Sequence, residues 1–161
     1  MNQQEMTPKP VSASAVNDYF LLVFPHHLNP LNTIFGGAVL LETDIVAAHV
    51  ALAHTGTICV TLGMDAVRFL ETAKQGDTLI YKASVNRVWG SSMEVGVKVV
   101  NRNMKTGDEK HVFSAYCTFV AKDENGNKIK APQVIPETEE QKRRYEEADA
   151  RREQRLANVK K

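Results

Sequence analysis

The chain has few of the residues from which several common kinds of functional site are built. It contains two cysteines in 161 residues, Cys59 and Cys117, and both lie in apolar, strand-like runs. We therefore expect two reduced core thiols rather than a disulfide or a metal pair. The five histidines are scattered. Because His26 and His27 have no matching group of Asp, Glu or Cys, no metal site is expected.

Motifs of several enzyme classes are also missing. The sequence has no Gly-x-Ser-x-Gly elbow, which argues against a hydrolase with a Ser-His-Asp triad. Nothing in it resembles a glycine-rich dinucleotide fingerprint or a phosphate-binding loop. Any catalytic chemistry must therefore come from other groups.

Neither charge nor an apolar segment points to a nucleic acid or a membrane. The formal net charge is +1, which gives the chain as a whole no attraction for nucleic acid or for an anionic lipid surface. The first residues have no apolar signal region, and we interpret no apolar run as a membrane span. We expect a cytoplasmic protein without nucleic-acid or membrane partners.

Composition divides the chain into three parts. Residues 1–15 are polar and contain Pro and Ser, and we interpret them as a flexible N-terminal arm. Residues 16–131 carry the apolar patterns of one domain, and residues 132–161 form a C-terminal extension. In this extension Glu and Arg or Lys recur at spacings of three and four, which favours a charged helix exposed to solvent. A helix that binds nucleic acid is the alternative.

The domain has one long helical pattern among strand patterns. Helical spacing runs from about residue 35 to residue 54, and the strand patterns lie at residues 19–24, 58–69, 78–89, 92–103 and 111–121. One helix followed by consecutive antiparallel strands predicts an α+β fold, with the helix packed across a curved sheet. The alternation shifts phase between Met64 and Val67, which predicts a bulge.

The most informative stretch runs from Asn29 to Asp44. Gly36 and Gly37 begin the predicted helix, where unpaired backbone N–H groups can hold an oxyanion or a polarised carbonyl. Asp44, about two turns further along, could act as a base or a nucleophile. This layout predicts a hydrolytic site. Simpler roles also fit: Asn29 as a turn residue before Pro30, and the glycines as places of close packing.

Segments in this order resemble the hot-dog-fold acyl-CoA thioesterases of the acyl-CoA hydrolase family. The resemblance covers roughly residues 16–156, and its C-terminal part is similar to the extension of single-domain bacterial members. The matching segments are Asn29 with Thr33–Gly37 and Asp44, Val60–Thr61 with Asp65–Phe69, Gly76–Asp77, Ser91–Val95 and Thr118–Asp123.

The resemblance implies a fold, an assembly and an activity. The fold is a long central helix wrapped by a curved antiparallel sheet. Two protomers join their sheets edge to edge in a dimer that is the minimal active unit, and the dimers assemble into a hexamer. The activity is hydrolysis of an acyl-CoA to a free acid and coenzyme A. No cofactor is implied, because coenzyme A enters only as part of the substrate and product.

The same resemblance assigns roles to individual residues. The functional pair falls on Asn29, which would orient water or the carbonyl, and on Asp44, with backbone N–H groups near Gly36 and Gly37 as the oxyanion hole. Further candidates for contact with the substrate or coenzyme A are Thr33, Phe35, Asp65, Arg87, Trp89, Gly90, Ser91 and Ser92. Asp65 could instead be a bulge residue, and the two serines ordinary hairpin residues.

Two departures from the family pattern bear on these assignments. Trp89–Gly90 stands where members often have Gly followed by a basic or polar residue, so Arg87 is only a substitute candidate for the phosphates of coenzyme A. Pro30–Asn32 stands where His or Gly is frequent.

Two alternative functions remain open. The first is a CoA-ester hydratase or dehydratase on the same fold. That chemistry needs a His near the helix start, where this chain has Phe35. The second is a non-catalytic sensor that binds a CoA ester or a nucleotide and signals through the C-terminal extension.

Overall fold

The computed structural model describes residues 6–159. Its two α-helices are α1 (Gly36–Thr55) and α2 (Glu139–Val159). Its strands are β1 (Lys9–Pro10), β2 (Val16–Leu22), β3 (Cys59–Phe69), β4 (Thr78–Trp89), β5 (Ser92–Arg102), β6 (Glu109–Ala121) and β7 (Val134–Ile135).

The five long strands form one antiparallel sheet in the order β2-β4-β5-β6-β3. The predicted α+β architecture is confirmed, and β3 to β6 begin and end within two residues of their predicted bounds. The core lies between α1 and this sheet. Its largest fully buried side chains include Leu79, Tyr81, Met93, Phe113 and Phe119.

Helix α1 is apolar on more sides than its own sheet covers. It ends at Gly56, whose φ of 72° is the left-handed conformation that glycine adopts most readily. Val39, Val46 and Val50 are buried against the sheet, whereas the large apolar side chains Leu41, Ile45 and Leu52 are exposed. By length and composition alone α1 could cross a membrane, contrary to our interpretation of the sequence, but it packs against five strands of the sheet.

Strand β3 is a free edge of the sheet, and it is irregular. Its register against β6 shifts between Thr61 and Gly63 and again between Asp65 and Arg68. Ala66, inside the second shift, has a φ of 50°, so the predicted bulge between Met64 and Val67 is confirmed. Several apolar side chains of β3 and its flanks are exposed: Ile58, Val60, Leu62, Val67, Phe69 and Leu70. A long apolar edge strand favours pairing with another chain.

The N-terminal segment is packed onto the domain. β1 pairs in parallel with β7, and the Lys9 backbone N–H donates to the Gln133 carbonyl at 2.8 Å. Val11 is only 2% exposed and belongs to the core. This packing differs from the flexible arm expected for residues 1–15, of which residues 1–5 lie outside the described part of the chain.

Both cysteines are free, as predicted. Burial raises the pKa of the Cys117 thiol to about 12. Burial also raises the pKa of Cys59, although a hydrogen bond with Thr55 opposes the rise. Both thiols are therefore protonated at neutral pH and poor nucleophiles.

The buried His54 of α1 forms hydrogen bonds with the N-terminal segment and with the region before β7. Nε2 of His54 lies 2.9 Å from the Pro132 carbonyl, to which it donates, and Nδ1 lies 3.5 Å from the Ser14 hydroxyl. Burial lowers the pKa of His54; the hydrogen bond to Pro132 opposes this shift, and the charge of Lys9 adds to it. The neutral form of the ring is therefore favoured in the folded protein.

This burial makes folding stability depend on pH. The free energy of unfolding should decrease as the pH falls below about 6.5, the ordinary histidine pKa. In that range the unfolded chain binds a proton that folded His54 does not. Above about pH 6.5 His54 is mostly neutral in the unfolded chain as well, so its contribution to the free energy of unfolding no longer changes with pH. The thermal midpoint of His54→Gln, measured from about pH 7.5 down to about pH 5.5, should decline less than that of the wild type.

The matched control is His49→Gln, which changes an exposed histidine of the same helix and should keep the wild-type decline. An equal decline in His54→Gln and the wild type would refute the assignment to His54.

Candidate active site

Helix α1 begins without a side-chain cap. Its N-cap residue is Phe35, which has an extended backbone and cannot cap through its side chain. The Phe35 backbone N–H donates to the His27 carbonyl at 2.7 Å, which fixes the entry of the chain. The first-turn N–H groups at Gly36 and Gly37 therefore keep the partial positive charge of an uncapped helix end.

Both glycines are also places of close packing. A Cβ atom on Gly37 would lie 2.7 Å from Cε1 of Phe35, and one on Gly36 would lie 3.3 Å from Cζ of Phe69. The two glycines therefore do allow close packing, the simpler role that the sequence analysis gave as an alternative. It is compatible with an oxyanion role, since the backbone N–H groups are not used in it.

Asn29 organises the loop that leads into α1. Its Oδ1 accepts the backbone N–H of Leu31 at 2.9 Å and of Thr33 at 3.2 Å, and its Nδ2 donates to Thr33 Oγ1 at 2.9 Å. Asn32, with a φ of 58°, completes the turn. Asn29 is therefore a turn residue, and the described residues offer no acceptor for its second amide N–H, which can point to a ligand.

Asp44 is held by a strand residue to which the sequence analysis gave no role. Thr61 Oγ1 on β3 donates to Asp44 Oδ1 at 2.8 Å. Within residues 6–159, Asp44 Oδ2 accepts no hydrogen bond, so one carboxylate oxygen is fixed and the other is free. The sequence feature that could have pointed to Thr61 is its hydroxyl side chain among the apolar residues of a predicted strand.

Within residues 6–159 the two predicted catalytic residues, Asn29 and Asp44, share no hydrogen bond. Asn29 binds Thr33, whereas Asp44 binds Thr61. Asp44 lies eight positions after Gly36 in α1, which is about 12 Å along a helix. One thioester carbonyl cannot contact both the helix start and Asp44 of the same protomer. This separation fits the expectation, implied by the resemblance, that a second chain completes the site.

The hairpin candidates of β4 and β5 are in contact with α2. Trp89 Nε1 donates to Asp149 at 2.7 Å, and Arg87 pairs with the same carboxylate at 3.1 Å. The Arg87 guanidinium also lies 3.7 Å from the centre of the Tyr145 ring. Gly90 forms the turn with a φ of 61°. Contact of these residues with coenzyme A stays a prediction.

The remaining candidates have other contacts. Ser92 Oγ donates to the Trp89 carbonyl at 3.2 Å, the Ser91 carbonyl accepts the N–H of Ala121, and the Phe35 ring is 60% exposed. Asp65 pairs with Arg155 of α2 at 3.2 Å. The extension is thus helical as predicted, but it packs on the sheet through its arginines instead of being surrounded by solvent.

No metal-binding group is found in the described part of the chain, residues 6–159, where no three His, Cys, Asp or Glu side chains are clustered as a metal ion would need.

Comparison with known proteins identifies the class. The profile of the Thioesterase superfamily matches residues 31–107. The uncharacterized acyl-CoA thioester hydrolase YkhA of Bacillus subtilis is 40% identical over 119 residues, which are 74% of this chain and 69% of that protein. Acyl-coenzyme A thioesterase 11 of mouse is 41% identical over 135 residues, which are 84% of this chain but only 23% of that longer protein.

Solved structures agree over nearly the whole length. An apo-hexameric acyl-CoA thioesterase is 40% identical, with a TM-score of 0.90 over 94% of this chain and 97% of that one. An acyl-CoA hydrolase of Staphylococcus aureus, solved with butyryl coenzyme A, coenzyme A and coenzyme A disulfide, is 35% identical. Its TM-score is 0.90 over 94% of this chain and 93% of that one.

The helix crossed by an antiparallel sheet and the matches to these proteins thus define a hot-dog domain of the thioesterase superfamily. Within that superfamily, the chain belongs to the acyl-CoA thioester hydrolases.

Proposed function

We propose that this protein hydrolyses the thioester of an acyl-CoA to a free carboxylic acid and coenzyme A, with Asp44 as the residue that activates water or attacks the carbonyl. The observation that carries the proposal is the Asp44 carboxylate. One of its oxygens is held by Thr61 at 2.8 Å and the other is free. It projects from helix α1, whose start has no side-chain cap.

The reaction needs a polarised carbonyl and a positioned nucleophile. With Asp44 as general base, its free oxygen takes a proton from water while the water oxygen bonds to the thioester carbon. The C–S bond then breaks, and coenzyme A leaves as a thiolate that takes up a proton. If Asp44 attacks directly, the intermediate is an anhydride that water cleaves.

Two groups would stabilise the developing charge. Backbone N–H groups at Gly36 and Gly37 would donate to the oxyanion, and one such donor is typically worth about 3–4 kcal/mol. The free amide hydrogen of Asn29 would orient the carbonyl or the water. Because a thiolate is a good leaving group, its departure needs no strong general acid, and we propose a reaction without a metal or a redox cofactor.

Crystallised variants of the Staphylococcus aureus hydrolase change residues of the same three types. That protein has been crystallised with an aspartate, an asparagine or a threonine changed to alanine. These are the residue types of Asp44, Asn29 and Thr61, although no role is transferred by type alone.

The active unit in this proposal is a dimer joined along β3. The apolar edge of β3 is exposed, and pairing it with the same edge of a second chain would remove an aggregation-prone surface. The same association would cover exposed side chains of α1 and bring a second helix start toward Asp44. Such dimers would assemble further, as in the related thioesterases that are hexameric.

Replacing the proposed base should abolish turnover. Asp44→Asn keeps the size and an acceptor for Thr61 but removes the charge, and we expect kcat to fall by at least about 100-fold. Thr61→Val frees the carboxylate to rotate and should lower kcat about 10-fold. Release of coenzyme A from a panel of acyl-CoAs measures both.

Glu42→Gln is the matched control. It removes a carboxylate from the same helix, one that accepts a hydrogen bond from the Tyr19 hydroxyl, and its kcat should stay near the wild-type value. Full activity in a folded, oligomeric Asp44→Asn variant would refute the role of Asp44. Tight binding of acyl-CoA by the wild type without turnover would favour the sensor.

A charge placed on the β3 edge should break the dimer. Leu62 is 72% exposed on that strand, and Leu62→Glu would set two like charges near each other in a paired edge. We expect a smaller particle by light scattering and little activity. Leu156→Glu, the same change on exposed α2, should leave the assembly intact. An unchanged particle size for Leu62→Glu would exclude pairing along β3.

A further inference from the structure

The part of β3 that follows Thr61 is held only weakly by its backbone hydrogen bonds to the neighbouring strand. β3 pairs with β6 alone, and the register shifts directly after Thr61 and again after Asp65. Ala66, inside the second shift, has a positive φ, which is costly for a residue with a side chain. The hydroxyl that holds Asp44 therefore stands at the start of an irregular segment, residues 61–68, whose position needs another restraint.

That restraint comes from α2. Arg155 Nη1 donates to Asp65 Oδ2 at 3.2 Å, in the middle of the irregular segment. The same nitrogen donates to Glu94 Oε2 at 2.9 Å. Arg155 thus joins the edge strand β3 to the central strand β5.

The far end of this link is rigid. Glu94 is 0% exposed and is also bound by Arg151, whose Nη2 lies 2.7 Å from Oε1, and by Asn86 Nδ2 at 3.0 Å. The Arg151 guanidinium lies 3.8 Å from the centre of the Tyr116 ring on β6. A buried carboxylate with several charge-assisted partners has little freedom to move.

We propose that Arg155 is a positioning residue for the hydrolytic reaction: its bridge between Glu94 and Asp65 fixes the irregular segment of β3, and so fixes Thr61 and the orientation of Asp44. This inference rests on the proposed function of Asp44. It also gives the C-terminal helix a role, since α2 holds the strand that holds the catalytic carboxylate.

The effect should appear in turnover more than in binding or stability. Asp65 is 40% exposed in its pair with Arg155, and such pairs contribute little to global stability. Loss of Arg155 also removes one partner of the buried Glu94, but Arg151 and Asn86 still bind that carboxylate, so it is not left unpaired. Misplacing a catalytic group lowers kcat without changing how coenzyme A is bound. A direct contact of Asp65 with the substrate would instead raise KM.

The test compares Arg155→Met with Arg152→Met in the full chain. Arg152 lies on the same helix, with its guanidinium over the Trp89 ring at 4.9 Å, and the described residues show no ion pair for it. We expect kcat of Arg155→Met to fall about 10-fold with KM nearly unchanged.

The control Arg152→Met should match the wild type, and Arg155→Lys should recover much of the loss. Asp65→Ala should lower kcat similarly, and the double variant should be no worse than Arg155→Met.

Amide hydrogen exchange gives a readout that does not depend on activity. In Arg155→Met, peptides that cover residues 61–68 should exchange faster, while peptides of β4 and β5 keep the wild-type rate. Equal kcat values for the two Met variants, unchanged exchange in residues 61–68, or a kcat loss that only accompanies unfolding or dissociation would each overturn the inference. A wild type without turnover would refute the proposed function, while the exchange result would still decide the link to β3.

Discussion

The hydrogen bond from Thr61 to Asp44 joins the two elements on which the site depends, the central helix and the free edge of the sheet. It fixes one oxygen of the carboxylate and leaves the other available for chemistry. Because β3 is an edge strand with two register shifts, a change in the position of that edge would pass through this bond to Asp44, the proposed catalytic group. The proposed association along β3 and the ion pairs of α2 would therefore act on the same small part of the molecule.

Helix geometry favours a site shared by two chains. The start of α1 and Asp44 are separated by about two turns of helix, or about 12 Å, so in the proposed dimer each protomer would contribute its helix start to one site and its Asp44 to the other. The surface of the protomer agrees with a site shared by two chains, since apolar side chains are exposed on α1 and β3. Side chains that would be a liability in a monomer are explained if a partner covers them and supplies the missing half.

Much of this could be predicted from local patterns. Helical spacing, the strand alternation and the phase shift after Met64 are local signals, and they located α1, the later strands and the bulge. Thr61 was missed because only the fold brings it to Asp44. The packing of α2 was missed because alternating charge looks the same on a solvated helix, and its partner Glu94 is 57 residues from Arg151. The burial of Val11 likewise depends on β7, far along the chain.

The central claim is that Asn29 of one protomer and Asp44 of its partner serve the same site. Asn29→Ala and Asp44→Ala chains, each nearly inactive alone, can be mixed under conditions that let subunits exchange. Half of the dimers are then mixed, and each mixed dimer has one intact site, so activity should rise to about one quarter of the wild-type value. A mixture that stays as inactive as its components, although exchange is shown by mass, would contradict the account.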